Sequence, residues 1–424
     1  MIERSKFPIV KMPTSTSDSL ADSWKCFNRM VFPYKAEEFM SEIWEQKAVI
    51  IKRKKFDYYD GLFSTNQLAQ ILEKNPIRWG VNLDVTSWTK TEGRQTHNLP
   101  GRAHPAQVWD FYNNGCSVRM LNPATYSNSV YEMCTNLQEF FGCFVGSNIY
   151  LTPPATQGFA PHYDDVEVFM LQVEGRKRWK IYKPFDGEEL PRTSSRNYNP
   201  KEIKGEPFIY EILEPGDLLY VPRGWIHQGE ALAGEHSLHV TISTYQKNSW
   251  IDLLEKVVPN ALKLAAKEDE DFRRGLPTDY KLFMGLQNSD REDVGPQREQ
   301  FMNTVGHLMN RLVDYCELDK DVDEFARLDM HRSFPPKLSK EEIQRTVKGK
   351  LTRSKLTSKT ISATDKRFQD ILLGIRVEVN NGTVGPSVID VDEKTQVRII
   401  RQQSVRVATE GDDVFIYHNF DNPR

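Results

Sequence analysis

The chain has 424 residues, 39% of them hydrophobic and 27% charged, with a mean hydropathy of −0.58. This length and balance exclude a small stapled module and a disordered or fibrous chain, and they predict two or three globular domains. A formal net charge of −3 excludes a global positive field that would draw the whole chain onto nucleic acid or an anionic membrane.

The five cysteines (Cys26, Cys116, Cys134, Cys143 and Cys316) are odd in number, scattered and never spaced Cys-x-x-Cys. They suggest neither a disulfide framework nor a zinc knuckle, and they fit a reducing compartment. The opening stretch carries Glu3, Arg4 and Lys6 where a secretory signal needs an apolar run, and apolar runs such as Val168 to Leu171 are too short to span a bilayer. Secretion and membrane insertion are therefore not expected.

From about Met30 to Tyr245 the chain reads mainly as short strands split by Gly, Pro and Asn turns and rich in aromatic and β-branched residues. Helical periodicity interrupts this core at Ala36 to Glu45 and Asn66 to Glu73. The short basic run Lys52 to Lys55 reads equally as a nuclear address or a basic strand end. After Tyr245 the apolar spacing changes to near 3.6, predicting helices over Trp250 to Lys267 and Arg298 to Tyr315. Phe301, Val305, Leu308, Met309 and Leu312 form one stripe on the second helix, which suits packing within the domain and dimerisation equally.

Beyond Phe334-Pro335-Pro336, helices are expected over Lys340 to Lys348 and Thr364 to Leu373. Short strands should follow around Arg376 to Val379, Val397 to Ile400, Val405 to Val407 and Val414 to Tyr417. This order resembles a winged helix. Between Lys337 and Arg367 ten Lys or Arg face three Asp or Glu. A solvated helix face explains that run better than contact with phosphates in a chain of acidic net charge.

The chemistry concentrates in two segments. In the first, Pro161-His162-Tyr163-Asp164-Asp165-Val166-Glu167, a strand would turn His162 and Asp164 to the same face, offering an imidazole and a carboxylate to one metal. A single His-x-acid pair is weak by itself, because nine His and 59 acidic residues in 424 make about one by chance. The second segment, Glu214-Pro215-Gly216-Asp217 through Pro222-Arg223-Gly224-Trp225-Ile226-His227, opens a strand at a Pro-Gly-Asp turn and ends it at a bend, placing His227 at a strand end. Two histidines and one carboxylate form the facial triad of non-haem Fe(II) oxygenases. His236 and His239 are rival third ligands, but neither closes the Pro-x-Gly-Trp bend. Asn148 and Tyr150 share one strand face by period two, as do His239, Thr241 and Ser243.

The pair HYDDVEVFMLQVEGRKRWKIY and GDLLYVPRGWIHQGE resembles the JmjC-type 2-oxoglutarate oxygenases, specifically the ribosomal oxygenase branch of bifunctional histidyl hydroxylases and lysine demethylases. The 65-residue separation of His162 and His227 is more similar to the nucleolar branch than to its sister. The resemblance implies a mainly β fold: a double-stranded β-helix (jelly-roll, cupin/JmjC) core over residues 1–248, an α-helical dimerisation domain over 249–333 and a C-terminal α+β winged-helix domain over 334–424.

It further implies that His162, Asp164 and His227 bind Fe(II) and that Lys177 pairs with the distal carboxylate of 2-oxoglutarate, with molecular oxygen as second co-substrate. By the same resemblance Asn148, Tyr150 and Ser243 surround co-substrate or target, and Arg119 stands near the substrate entrance. The implied reaction is 3-hydroxylation of a histidine in a loop of a large-subunit ribosomal protein, in the nucleus or nucleolus, by a homodimer. Demethylation of the methylated histone H3 tail at lysines four and thirty-six ranks second, because no aromatic cage for a methyl-ammonium is discernible. A cupin-like isomerase or hydrolase using another divalent metal would not require Lys177 or the added domains. A catalytically silent scaffold would be expected to have lost a ligand.

Overall fold

The computed structural model describes residues 18–338, 361–362, 401–410, 413–420 and 422–424. Within them a large and a small antiparallel sheet face each other. The large sheet has eight strands: β1 (Val49–Ile51), β2 (Leu83–Thr89), β3 (Gly93–Thr96), β4 (Ser117–Leu121), β5 (Val145–Thr152), β6 (Glu167–Gly175), β9 (Leu218–Val221) and β11 (Ser237–Thr244). Their order is β1-β9-β6-β11-β5-β4-β2-β3. The small sheet has the order β10-β7-β8, from β10 (Ile226–Ala231), β7 (Lys177–Tyr182) and β8 (Ile209–Leu213).

The chain changes sheets at Gly175, between β6 and β7. Its φ of +57° is one that L side chains rarely adopt, and a Cβ there would lie 1.7 Å from the His236 carbonyl oxygen. Only glycine fits this corner.

Period-two alternation then sorts side chains between two compartments. From β6 and β11, Phe169, Leu171, Leu238, Val240 and Ile242 face an outer core, whereas Val168 and Met170 join Trp179, Ile181, Leu219 and Trp225 between the sheets. The outer core is roofed by α1 (Asp18–Val31), α2 (Ala36–Glu42), α3 (Thr65–Lys74), α4 (Pro105–Asn113) and α5 (Asn128–Phe141). Phe27 of α1 stacks on Phe140 of α5 at 4.2 Å and meets Phe169 edge-on at 6.1 Å, locking the roof to the sheet. Truncating such a fully buried ring to alanine costs about 3–5 kcal/mol.

Helices α2 and α3 lie where periodicity expects them. Helix α5 falls in a stretch the sequence reads as strands, because its Val, Tyr and Phe residues are strand formers. Its ends carry the decisive signals: the Ser127 hydroxyl accepts from the Val130 amide, and Gly142 closes the helix in the left-handed region.

After β11 the chain turns helical, with α6 (Trp250–Glu268), a single turn α7 (Tyr280–Phe283), α8 (Gly295–Leu312) and α9 (Leu318–Met330). Ala261 and Ala265 of α6 and Leu312 of α8 form a small core of their own. The expected stripe on α8 divides, since Leu312 enters this core while Val305 and Met309 are exposed. Trp250, Leu254, Val258 and Leu262, four apart on α6, are exposed as well.

Phe334 packs into the outer core, and its backbone exchanges hydrogen bonds with the Gln138 side chain. Two of the expected C-terminal strands are present as the hairpin β13 (Val405–Glu410) and β14 (Asp413–His418), and β14 also pairs with the two-residue β12 (Ile361–Ser362). The segments 340–348, 364–373, 376–379 and 397–400 lie outside the described residues, as does most of the expected winged helix.

Candidate metal centre

His162 and His227 meet through an isolated backbone bridge, with the His227 amide donating to the His162 carbonyl at 2.8 Å and the His162 amide to the His227 carbonyl at 3.3 Å. The ligand-bearing stretch differs from the expected strand, because β6 begins only at Glu167 and His162 and Asp164 precede it outside any strand, His162 held by an isolated bridge. Asp164 is fixed there instead by its carbonyl, which accepts from the Gly224 amide at 3.1 Å. Gly224, at φ +87°, lies in the bend between the end of β9 at Val221 and β10, and His227 follows as the second residue of β10.

Each imidazole is oriented by its Nδ1, which donates to a carbonyl: Ala160 at 2.8 Å for His162 and Trp225 at 3.2 Å for His227. That tautomer leaves both Nε2 lone pairs facing Asp164, whose carboxylate oxygens lie 3.9 Å from His162 Nε2 and 3.6 Å from His227 Nε2. Among the described residues this is the one group of three donors able to hold a metal ion, with ligand atoms within 4.8 Å of one another. Burial, with the His162 imidazole next to it, holds His227 down at about 4, so it stays a neutral donor near pH 7.

Lys177 opens β7 and points between the sheets, with 4% of its surface exposed. Its Nζ donates to Thr152 Oγ1 at 3.1 Å and lies 5.1 Å from the Trp179 ring centroid. Burial alone pulls its pKa down from 10.5 to about 7. An ammonium has three donors, and one hydroxyl partner does not satisfy it. Nearby, buried His239 Nδ1 and Thr241 Oγ1 have no hydrogen-bond partner among the described residues. These unsatisfied groups and the N,N,O ligand set fit a divalent metal together with a small dianion whose far carboxylate would meet Lys177.

His239 is not part of the ligand group. It stacks on Tyr150 with ring centroids 4.9 Å apart and an interplanar angle of 5°, and meets the Trp179 edge at 5.4 Å. Burial, followed by Lys177, pushes its pKa well below the usual histidine value, so it stays neutral. Burial raises the Tyr150 phenol, against the lowering effect of Arg119, and Asn148 lies alongside its hydroxyl. Arg119 pairs with Asp84, its Nε donating to Oδ2 at 3.1 Å. Asn148, Tyr150 and Arg119 thus form one wall on adjacent strands β4 and β5. Ser243, two residues beyond Thr241, lines a cleft of about 120 Å³ shared with Gly146, Asp329 and Arg332.

Sequence reasoning did not single out Phe159, Trp179 or Arg94. Phe159 lies 6.4 Å from the His162 ring and 5.3 Å from Tyr150. The Arg94 guanidinium sits 4.5 Å above Phe159. Period two on β7 places Trp179 beside Lys177, but nothing local marks the other two.

A double-stranded β-helix holding a His-x-Asp…His group between its sheets, with a buried lysine on the second strand after the first ligands, defines the JmjC class. The JmjC domain family matches residues 119–253. Ribosomal oxygenase 1 of Danio rerio is 43% identical over 401 residues, covering 94% of this chain and 68% of that protein. The bifunctional lysine-specific demethylase and histidyl-hydroxylase NO66 of Branchiostoma floridae is 45% identical over 407 residues, covering 96% of this chain and 59% of its own length. This chain belongs to the ribosomal oxygenase family of JmjC proteins. It spans about three fifths to two thirds of the length of these relatives. Among solved structures, the Escherichia coli ribosomal oxygenase YcfD in complex with cobalt and 2-oxoglutarate aligns with a TM-score of 0.44 at 17% identity, covering 91% of this chain and 84% of that one.

Proposed function

We propose that this chain is an Fe(II)- and 2-oxoglutarate-dependent protein oxygenase that 3-hydroxylates a histidine in a loop of a large-subunit ribosomal protein. The observation that carries the reading is the intact His162, Asp164 and His227 group in one pocket with a buried, under-partnered Lys177. An isomerase needs no such lysine, and a silent scaffold has no reason to keep all three ligands.

Bound iron with 2-oxoglutarate supplies an oxidant for an aliphatic C–H bond by oxidative decarboxylation of the co-substrate with molecular oxygen. The chain's own residues decide what is presented to it. The two Nδ1–carbonyl bonds orient the imidazole rings, so both Nε2 atoms already face Asp164 before a metal draws the three together. Lys177 orients the co-substrate by its far carboxylate, and Trp179 and Phe159 keep bulk water from the pocket walls. Asn148 and Tyr150 offer an amide and a phenol to a target imidazole, and Arg119 holds Tyr150 in place. Ser243 contributes a hydroxyl at the far end of the β11 row.

Lysine demethylation of a methylated histone H3 tail is the second reading, motivated by the name of the Branchiostoma relative. The exposed apolar stripes on α6 and α8 support a homodimer, and the proposed nuclear and nucleolar location rests on the resemblance of the His162 to His227 spacing to the nucleolar branch. The test is intact mass on ribosomal-protein and methylated-histone peptides incubated with enzyme, Fe(II), 2-oxoglutarate and oxygen, with His162→Ala as control. A gain of about 16 Da on a histidine peptide, absent in the variant, is expected. A loss of about 14 Da from methyl-lysine would put demethylation first, and no change on either would return the scaffold reading.

A further inference from the structure

Arg94 lies on β3, the edge strand of the large sheet, separated by β2 and β4 from β5 with its Asn148 and Tyr150. Its guanidinium is 4.5 Å from the Phe159 centroid, and that of Arg119 is 5.5 Å from the same ring. Two cations therefore share one aromatic ring that itself borders His162 and Tyr150. Between them stands one carboxylate, Asp84, and its bonds go to Arg119 and Asn98. Arg94 has no ion pair or side-chain hydrogen bond among the described residues, and its buried Nε has no partner. Its link to the ligand side runs through Phe159, which it covers and which lies 6.4 Å from the His162 ring. The acidic neighbour of Asp164, Asp165, accepts from Ser194 and Gln246 instead.

We infer that Arg94 sets the charge selectivity of the pocket: its unpaired guanidinium over Phe159 disfavours a cationic target side chain and leaves a neutral imidazole unaffected. The inference rests on the protein-oxygenase reading and deepens it, because the two candidate targets differ mainly in charge. A trimethyl-ammonium is a permanent cation, whereas a histidine is mostly neutral at pH 7.5. The Phe159 face, which would otherwise attract a quaternary ammonium, is already covered by Arg94.

The test is peptide binding to the protein loaded with Fe(II) and 2-oxoglutarate without oxygen, so that no turnover intervenes. Two peptides are used, identical except for histidine or trimethyl-lysine at the target position, and the readout is the ratio of their dissociation constants. Arg94→Met keeps a flexible apolar stem against Phe159 and removes the charge, while Arg94→Lys keeps the charge. In Arg94→Met the discrimination against trimethyl-lysine should fall about fivefold, the size expected for one unit charge acting across roughly 9 Å at a dielectric between protein surface and water. Arg94→Lys should retain the wild-type ratio, and raising the salt should erode that ratio in the wild type. An unchanged ratio in Arg94→Met, or an equal fall in both variants, would overturn the inference. Failure of the underlying reading looks different: the wild type then binds neither peptide, or oxidises neither when air is admitted.

Discussion

Replacing Lys177 by methionine should make the empty protein more stable and the co-substrate site worse, and the two effects should follow pH in a defined way. The ammonium is buried with one hydroxyl partner, and its pKa lies at about 7 in place of 10.5. A basic group with a depressed folded pKa takes up protons more readily when unfolded, so between those two values the wild type gains stability as pH rises. Below pH 7 both states are protonated and the full penalty applies. At about 1.4 kcal/mol per unit, the 3.5-unit depression corresponds to an upper limit of about 5 kcal/mol. Lys177→Met lacks this titration, so its advantage should be largest, about 3–5 kcal/mol, at pH 6 and should shrink towards pH 9. Urea denaturation of chelator-treated protein at pH 6, 7.5 and 9 measures the gap. With metal present, 2-oxoglutarate should stabilise the wild type and hardly affect the variant, and wild-type affinity should weaken above about pH 7 as the ammonium deprotonates. A gap that does not change with pH, or a variant that keeps its affinity for 2-oxoglutarate, would refute the assignment of Lys177.

Glu167 is the acidic counterpart. Burial raises it from 4.5 to about 7 although Tyr220 donates to it, so its cost appears as pH rises through that interval, and Glu167→Gln should flatten the stability profile between pH 5 and 8. Chemical denaturation across that range reads the slope, and an unaltered slope would count against a desolvated Glu167. Gly175→Ala should destabilise by about 2–4 kcal/mol, because the new methyl group meets the His236 carbonyl at the corner between the sheets. A thermal midpoint within a degree of the wild type would show that this corner can relax.

The candidate ligand group was legible as a cluster because it combines two local signals, the His-x-Asp pair and the Pro-x-Gly-Trp bend. The strand periodicity offered for the first of these was not what positions it. A backbone bridge to β10 and the Gly224 amide do that work, and both are long-range contacts that no window of sequence contains. Helix α5 was missed because burial on the sheet outweighs the strand preference of its Val, Tyr and Phe residues, while its capping residues Ser127 and Gly142 were available to be read. The division of the α8 stripe depends on how far α6 and α7 cover it, which periodicity cannot supply. Arg94 and Phe159 carry no motif at all, since their relevance arises only when β3 closes the sheet beside the ligand loop.

The bridge between His162 and His227 is made of main-chain atoms, so the frame of the metal site does not depend on which side chains it carries. A descendant of this chain that exchanged Asp164 for a non-ligand would keep both histidines facing each other and keep its fold. Loss and recovery of chemistry are then single-substitution events on a constant scaffold. Such a lineage can pass between enzyme and non-enzymatic binder without crossing an unfolded intermediate.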